Sequence, residues 1–349
     1  MKKCLIFSPS YKIWGGGQIY IEQLNNFLIK KGVESYILTA EPESFNTQTK
    51  KMNIVRSKKT RLLEAIKIAK KYKKKNFKNI ILNDLSSLWL SPIFKFYGFN
   101  VISLLHLYLQ KKSKNPLGHN IIEYYLQIYS SKFCDYIFSV NKNNIEVFGD
   151  RVKFIGNYVP DWFFKCPKKN KKLYDFIIIA RLAKQKNIPL FLEVLHNLNK
   201  RGHNCNLLII GEGPEKNNIL KRICELNLGK YVQIESWAKR ENLPSKYDLG
   251  KIFVISSFHE GFATTLLEAH SRGLPAIVTK SSGFCGEFVE GYNAKTGIVF
   301  QPQDLKNEDF YNQLINLVKN YRKFETLCIE KAKIFSEEKV LNPIYKVLI

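Results

Sequence analysis

Residues 256–278 read SSFHEGFATTLLEAHSRGLPAIV and set two carboxylates, Glu260 and Glu268, around a glycine and a threonine pair. Carboxylates accept hydrogen bonds from hydroxyl groups with good geometry, so two of them at this spacing suit a polyhydroxylated ligand held at two places. A helix expected from about Thr264 would offer unpaired backbone N–H groups and the positive end of its dipole at the same spot. A phosphate fits there, and Gly261 lets such a ligand approach the backbone. Taken alone, the acids have a plainer reading, with Glu260 capping the helix and Glu268 on its solvated face.

Other residue types point the same way. Arg181 and Lys186 stand in RLAKQKN, directly after the apolar run YDFIIIA, where a guanidinium and an ammonium would neutralise a diphosphate and stabilise charge that develops as a phosphate leaves. Gly15, Gly16 and Gly17 follow the first apolar run and precede a helical pattern; they do not form GxGxxG, and a glycine run by itself more often marks a tight turn. His106 ends the run VISLL and is either a contact to a ligand or a satisfied structural histidine.

The elements that must position these residues are legible as alternation. CLIFSP, SYILTA, NIILND, VISLLH, YIFSV and VKFIGN are short apolar runs separated by amphipathic stretches, and the alternation resumes with YDFIIIA, CNLLIIGEG, YVQIES, KIFVIS and PAIVT. Strand and helix repeated in this way predict parallel sheets covered on both faces. The expected architecture is α/β, with two Rossmann-like sandwiches in series and ligands beyond the carboxyl ends of the strands. The expected division is 1–164, a polar linker at 165–172 (KCPKKNKK), 173–330, and a helical segment at 331–349 for which a return to the first domain is one reading.

Composition limits the classes. A chain of 349 residues with 45% hydrophobic content is neither disordered nor fibrous and exceeds the usual single core. Seven scattered cysteines without a CxxC pair predict reduced thiols, no disulfide and no zinc. The four-residue apolar run near the N-terminus is too short for a signal segment, and no run of about 18 apolar residues occurs, so the expectation is a cytoplasmic protein. The formal charge is +25, with 27 basic against 11 acidic side chains in residues 1–165 and 28 against 19 in the rest. Such a field draws a protein to anionic surfaces, although an AT-rich genome would also produce it.

The combination of GGG at 15–17, His106, Asn157 in FIGNYV, ARLAKQKN, LLIIGEGPEKNNIL at 207–220 and Glu260-x7-Glu268 resembles the family-4 retaining glycosyltransferases of GT-B fold, in which two sandwiches face a central crevice. The resemblance covers about the whole chain and is strongest over 173–300. It implies that Glu260 contacts hydroxyls of the donor sugar, that Glu268 holds the ribose, and that Arg181 and Lys186 clamp the diphosphate. It further implies donor contacts from Gly16, Gly17, Gly261, Phe262, Ala263, Thr264 and Leu266, with His106 near the donor sugar. The implied substrates are a nucleotide sugar, with a UDP-sugar favoured, and a glycan or lipid-linked acceptor of surface-polysaccharide or lipopolysaccharide type. No cofactor and no metal are implied, and the chain holds no Asp-x-Asp.

The chain departs from that pattern in two places. KSSGFCGEFVEG stands where the family often has GG-x-x-E, which leaves Glu287 only as an equivalent by position, and Gln18 stands where an acid is common. For partners, the lysine-rich stretch 61–78, with Leu62, Ile66, Ala69 and Tyr72 on one side, has the pattern of a helix on an anionic membrane surface, or of a helix whose stripe packs on the sheet. A peripheral location on the inner face of the cytoplasmic membrane is the corresponding expectation. A nucleic-acid-binding protein would need an aromatic platform or a reading module, neither of which is present, and a nucleotide-sugar epimerase of the same fold would lack the EGF-x5-E signature.

Overall fold

The computed structural model describes residues 2–8, 16–40, 45–51, 58–112, 120–165, 167 and 172–349. Of the expected linker, only 165, 167 and 172 fall among them, and Gly15 lies outside. The chain divides into two compact units, Met1–Gly156 with Lys339–Ile349, and Asn157–Glu338.

The first unit is built on seven parallel strands, β1 (Lys3–Phe7), β2 (Glu34–Thr39), β3 (Thr49–Lys51), β4 (Asn79–Asn83), β5 (Asn100–Leu105), β6 (Tyr136–Ser139) and β7 (Val152–Phe154), in the order β3-β2-β1-β4-β5-β6-β7. All five residues of β4 are buried, as a strand covered on both faces requires. The helix Gly16–Lys30 covers the sheet through Tyr20, Ile21, Leu24, Phe27 and Leu28 and ends before Gly32, whose φ of 80° suits a left-handed stop.

The second unit carries β8 (Tyr174–Ile179), β9 (Leu207–Ile210), β10 (Val232–Glu235), β11 (Gly250–Ile255), β12 (Ala276–Thr279) and β13 (Gly297–Phe300), all parallel, in the order β10-β9-β8-β11-β12-β13. Its core joins Phe176, Ile178 and Ile209 of the sheet to Phe191 and Leu195 of the helix Ile188–Lys200. In both sheets the order reverses beside the first strand, between β1 and β4 and between β8 and β11. Such a switch point splays the two following loops apart at the carboxyl ends and leaves a place for a ligand.

Strands β3 and β13 have no counterpart among the apolar runs read from sequence. The first, TKK, is a three-residue edge with no apolar side chain, and the second, GIVF, is as long as β9 and β12 but is missed in the reading from sequence. The boundary also differs from the expected 164. Helix Asp161–Lys165 belongs to the second unit, where Phe163 is buried and its carbonyl accepts from Arg272 Nη1 at 2.7 Å. The return to the first unit begins at Lys339 rather than 331: Leu341 and Ile344 are buried there, and Asn100 Nδ2 donates to the Val347 carbonyl at 3.0 Å.

The lysine-rich helix spans Lys58–Lys73, and of its expected stripe Ala69 and Tyr72 pack in the core while Ile66 is half-buried. Ala65, Ile68, Ala69 and Tyr72 are buried in the first unit's core, whereas Leu62 is exposed. No helix among the described residues is long and apolar enough to cross a membrane.

Candidate active site

The switch point of the second sheet gathers the residues singled out by type. Lys186 lies in the single turn Lys184–Lys186 after β8, and Glu260 lies in the loop after β11. Their side chains meet, with Lys186 Nζ 2.6 Å from Glu260 Oε1, and Ser257 Oγ donates to the same oxygen at 2.7 Å. Only 10% of the Glu260 side chain and 26% of the Lys186 side chain are exposed, so the pair is screened from bulk water and stronger than a surface ion pair.

Hydrogen bonds to backbone carbonyls lock the two loops together. Phe258 N–H donates to the Gln185 carbonyl at 2.9 Å, Gln185 Nε2 to the His259 carbonyl at 2.9 Å, and Ser256 Oγ to the Lys186 carbonyl at 2.9 Å. Thr279, the last residue of β12, and Ser281 just beyond it both donate through their hydroxyls to the Ser257 carbonyl. The ends of β8 and β11 therefore meet at the Glu260 carboxylate, and the end of β12 holds the Ser257 backbone beside it.

Arg181 is exposed and has no ion pair among the described residues. Its backbone is held from the far side by the GEG of 211–213: Leu182 N–H donates to the Glu212 carbonyl at 2.8 Å, and a Cβ on Gly211 would stand 1.9 Å from the Ala180 carbonyl oxygen. The glycine is needed because the strand end bearing Arg181 passes too close for a side chain.

Helix Thr264–Ser271 begins beside Glu260. Ala263, at its N-cap, is extended and supplies no side-chain cap, so the amides of Thr264 and Thr265 sit in the first turn where a helix has no internal acceptor. The Ala263 amide is not available to a ligand, because it donates to Cys285 Sγ at 3.2 Å. Phe262 is a core anchor: its ring packs on Phe284, Phe288 and Phe335, and Asn157 Nδ2 donates to its carbonyl. Leu266 is wholly buried and likewise serves packing rather than contact. Gly261 is half-buried beside them.

Glu268 is not on a solvated face. It is 6% exposed, it accepts a hydrogen bond from Tyr247 Oη at 2.7 Å, and burial raises its carboxyl pKa against the opposing effects of Tyr247 and Arg240. Glu287 is exposed on the short helix Phe284–Glu290.

In the first unit the corresponding switch point holds Gly17, Asn83, Asp84 and His106. His106 Nε2 is 3.0 Å from Asn83 Oδ1, and its ring meets Tyr20 edge-on at 5.0 Å. A Cβ on Gly17 would lie 3.6 Å from the imidazole, an ordinary van der Waals distance, so the helix starts within contact range of the ring. Burial lowers the pKa of His106 and the nearby Asp84 raises it. Asp84 itself has φ of 64°, an uncommon conformation for a residue with a side chain, and its Oδ1 accepts from Leu107 N–H at 3.3 Å. Gly16 opens the helix, and Gln18 lies in its first turn.

Ser257, Cys285 and Tyr247 escaped the reading from sequence. Ser257 sits three residues before Glu260 and is the one with a local signal; the other two reach the site from distant elements.

Two parallel sheets, each with a switch point beside its first strand, make this a protein of GT-B fold. The chain belongs to the glycosyl transferases group 1 family, whose model matches residues 161–335. It is 32% identical over 144 residues to alpha-monoglucosyldiacylglycerol synthase of Acholeplasma laidlawii, across 41% of this chain and 34% of that protein. It is 32% identical over 107 residues to the amylovoran biosynthesis glycosyltransferase AmsD of Erwinia amylovora, across 31% of this chain and 29% of that protein. The chain thus spans about a third of the length of these curated relatives. The structure of Anabaena Alr3699/HepE in complex with UDP superposes with a TM-score of 0.79 at 14% identity, covering 100% of this chain and 99% of that one. The family and the fold stated from sequence are borne out.

Proposed function

We propose that the protein is a retaining, metal-independent glycosyltransferase that moves a hexose-type sugar from a nucleotide sugar, a UDP-sugar in the first instance, to a hydroxyl of a glycan or lipid-linked acceptor in surface-polysaccharide or lipopolysaccharide assembly. The Lys186–Glu260 contact at the β8/β11 switch point carries this reading. A diphosphate beside Arg181 and the Thr264 helix end would draw Lys186 to itself and leave Glu260 to accept from sugar hydroxyls. Glu268, already accepting from one hydroxyl, suits those of a ribose.

In this reading the bond from the anomeric carbon to the diphosphate oxygen breaks as the acceptor oxygen attacks from the same face. The departing phosphate takes the acceptor's proton, and Arg181 and Lys186 stabilise the charge it gains. A covalent sugar adduct on Glu260 would rule this route out.

The relative from Acholeplasma laidlawii, a diacylglycerol glycoside synthase by name, supports a lipid acceptor. So does helix Ile121–Ser131, on which Ile121, Ile122, Tyr125 and Tyr129 are more than half exposed beside Lys111 and Lys132. Apolar and tyrosine side chains among lysines have the composition of a membrane interface, and this helix rather than Lys58–Lys73 is the surface we assign to an anionic bilayer.

Thermal shift of the purified protein with a panel of nucleotide sugars, without added metal, tests the donor. Stabilisation by one donor that Glu268→Ala abolishes is the expected result; if no nucleotide sugar shifts the wild-type transition, the reading fails.

A further inference from the structure

The first unit has a second concavity, at the opposite ends of its strands from His106 and Asn83. A cleft of about 520 Å3 lies at the amino ends of β6 and β7, walled by helix Glu337–Lys346. This size falls among those of small-ligand sites, about 300–1,000 Å3.

Four cations line it, Arg151, Lys153, Lys339 and Lys346, with Asp135 as the one acid. Asp135 does not neutralise them. Its Oδ1 takes Lys95 Nζ at 2.5 Å and its Oδ2 takes the Val101 N–H at 2.8 Å. Arg151 is oriented, because its Nη2 donates to the carbonyls of Ser131 and Cys134 at 3.1 and 3.0 Å, which fixes the guanidinium plane and leaves Nε and Nη1 without a bond among the described residues. Lys153, Lys339 and Lys346 are exposed and have no ion pair among the described residues. The remaining lining is largely apolar, with Ile137, Phe138, Pro343 and Val347, and Tyr136 stands 44% exposed beside them.

Four cations around one acid that is already paired with Lys95 repel one another, and an anion of several oxygens relieves that repulsion while accepting from the oriented guanidinium. We propose that this cleft is a binding site for a phosphate group carried on an apolar or aromatic body, with Arg151 and Lys153 on one side and Lys339 and Lys346 on the other taking the phosphate oxygens. The proposal is independent of the reading of the β8/β11 site. Its ligand comes from one of two sources, a soluble phosphorylated compound or the headgroup of an anionic lipid.

Lysine acetylation of the whole protein, read peptide by peptide by mass spectrometry, tests it with inorganic pyrophosphate in one arm and vesicles of phosphatidylcholine and phosphatidylglycerol in the other. Occupancy at the β8/β11 site reads out separately on Lys186. At ligand near ten times its Kd, acetylation of Lys153, Lys339 and Lys346 should slow about tenfold, with Lys221 and Lys230 of the second unit unchanged. Protection by pyrophosphate identifies a soluble ligand, and protection by vesicles alone identifies a lipid headgroup. Lys153→Gln with Lys346→Gln should then remove the protection of Lys339, and the charge-matched pair Lys221→Gln with Lys230→Gln should keep it. No protection in either arm, or equal protection of Lys221 and Lys230, overturns the proposal.

Discussion

In the proposed reaction Lys186 is the residue on which the chemistry turns, because one ammonium would serve two partners in succession. It neutralises Glu260 at 2.6 Å, and with a diphosphate bound it would face the leaving group. Removing it therefore has two effects of one sign: the leaving phosphate loses a cation, and Glu260 is left partly buried without its charge partner. Lys186→Ala should lower kcat by about 10²–10³-fold, the cost of removing one preorganised charge-stabilising donor. Lys186→Arg should recover only part, since a planar fork does not replace a point charge at this distance. Steady-state kinetics with the donor found by thermal shift checks this; a kcat within threefold of wild type for Lys186→Ala would place the charge stabilisation elsewhere, on Arg181 or the helix end.

At the scale of elements, the strands that carry Lys186 and Glu260 were legible because parallel strands covered on both faces are continuous apolar runs, and the loops after them follow by position. What was not legible came from contacts between elements distant in sequence. Cys285 silences the Ala263 amide, Tyr247 fills the place of a hydroxyl on Glu268, and the edge strand TKK has no apolar signal at all. The GEG after β9 belongs here too, because its glycines make room for the neighbouring Arg181 loop. Gly211→Ala would drive a methyl into the Ala180 carbonyl, and the backbone shift should cost about 1–3 kcal/mol in urea unfolding and weaken donor binding through Arg181. Unchanged donor affinity in a variant that is destabilised would separate the loop from the site. Behind Glu268, the helix Thr264–Ser271 packs on Glu325–Lys333 through a buried polar cluster: His270 Nε2 meets Thr296 Oγ1 at 2.9 Å, Nδ1 has no partner among the described residues, and Lys331 stands nearby. Burial and the Lys331 charge push the His270 pKa down to about 3 from 6.5. Between those values the unfolded chain binds a proton that the folded one refuses, so stability present above pH 6.5 is lost as pH falls towards 3, by up to about 1.4 kcal/mol per pH unit. Lys331, lowered to about 8 from 10.5, gives a rise in stability between pH 8 and 10.5 by the same reasoning. Unfolding free energies from pH 4 to 7 should show the acid slope in the wild type and a flatter one in His270→Leu; equal slopes would remove His270 as its source.

For the whole molecule the dominant quantity is a charge of +25, of which 27 basic against 11 acidic side chains lie in residues 1–165. A field of that size acts in opposite directions on folding and on association. Within the chain it is self-repulsion, which a compact state concentrates and added salt relieves. Toward an anionic bilayer it is attraction, worth about 1 kcal/mol for each lysine near the surface and confined to about 10 Å at 0.1 M salt. Raising salt from about 0.05 to 0.5 M should therefore raise the melting temperature while it weakens, without abolishing, binding to phosphatidylglycerol vesicles. The exposed face of Ile121–Ser131 adds a part that salt does not screen, because apolar burial is indifferent to ionic strength at this level. Ile122→Asp, at a position 76% exposed, should lower vesicle binding at every salt concentration without changing the melt. Charge reversal of Lys111 should instead lower binding at low salt only. Sedimentation with vesicles across the salt series, beside melts of the same samples, distinguishes the two. Binding that survives high salt in the wild type and disappears in Ile122→Asp would assign the anchoring to the helix. Binding lost at high salt alike in all three proteins would leave the field alone responsible and overturn the assignment of this helix.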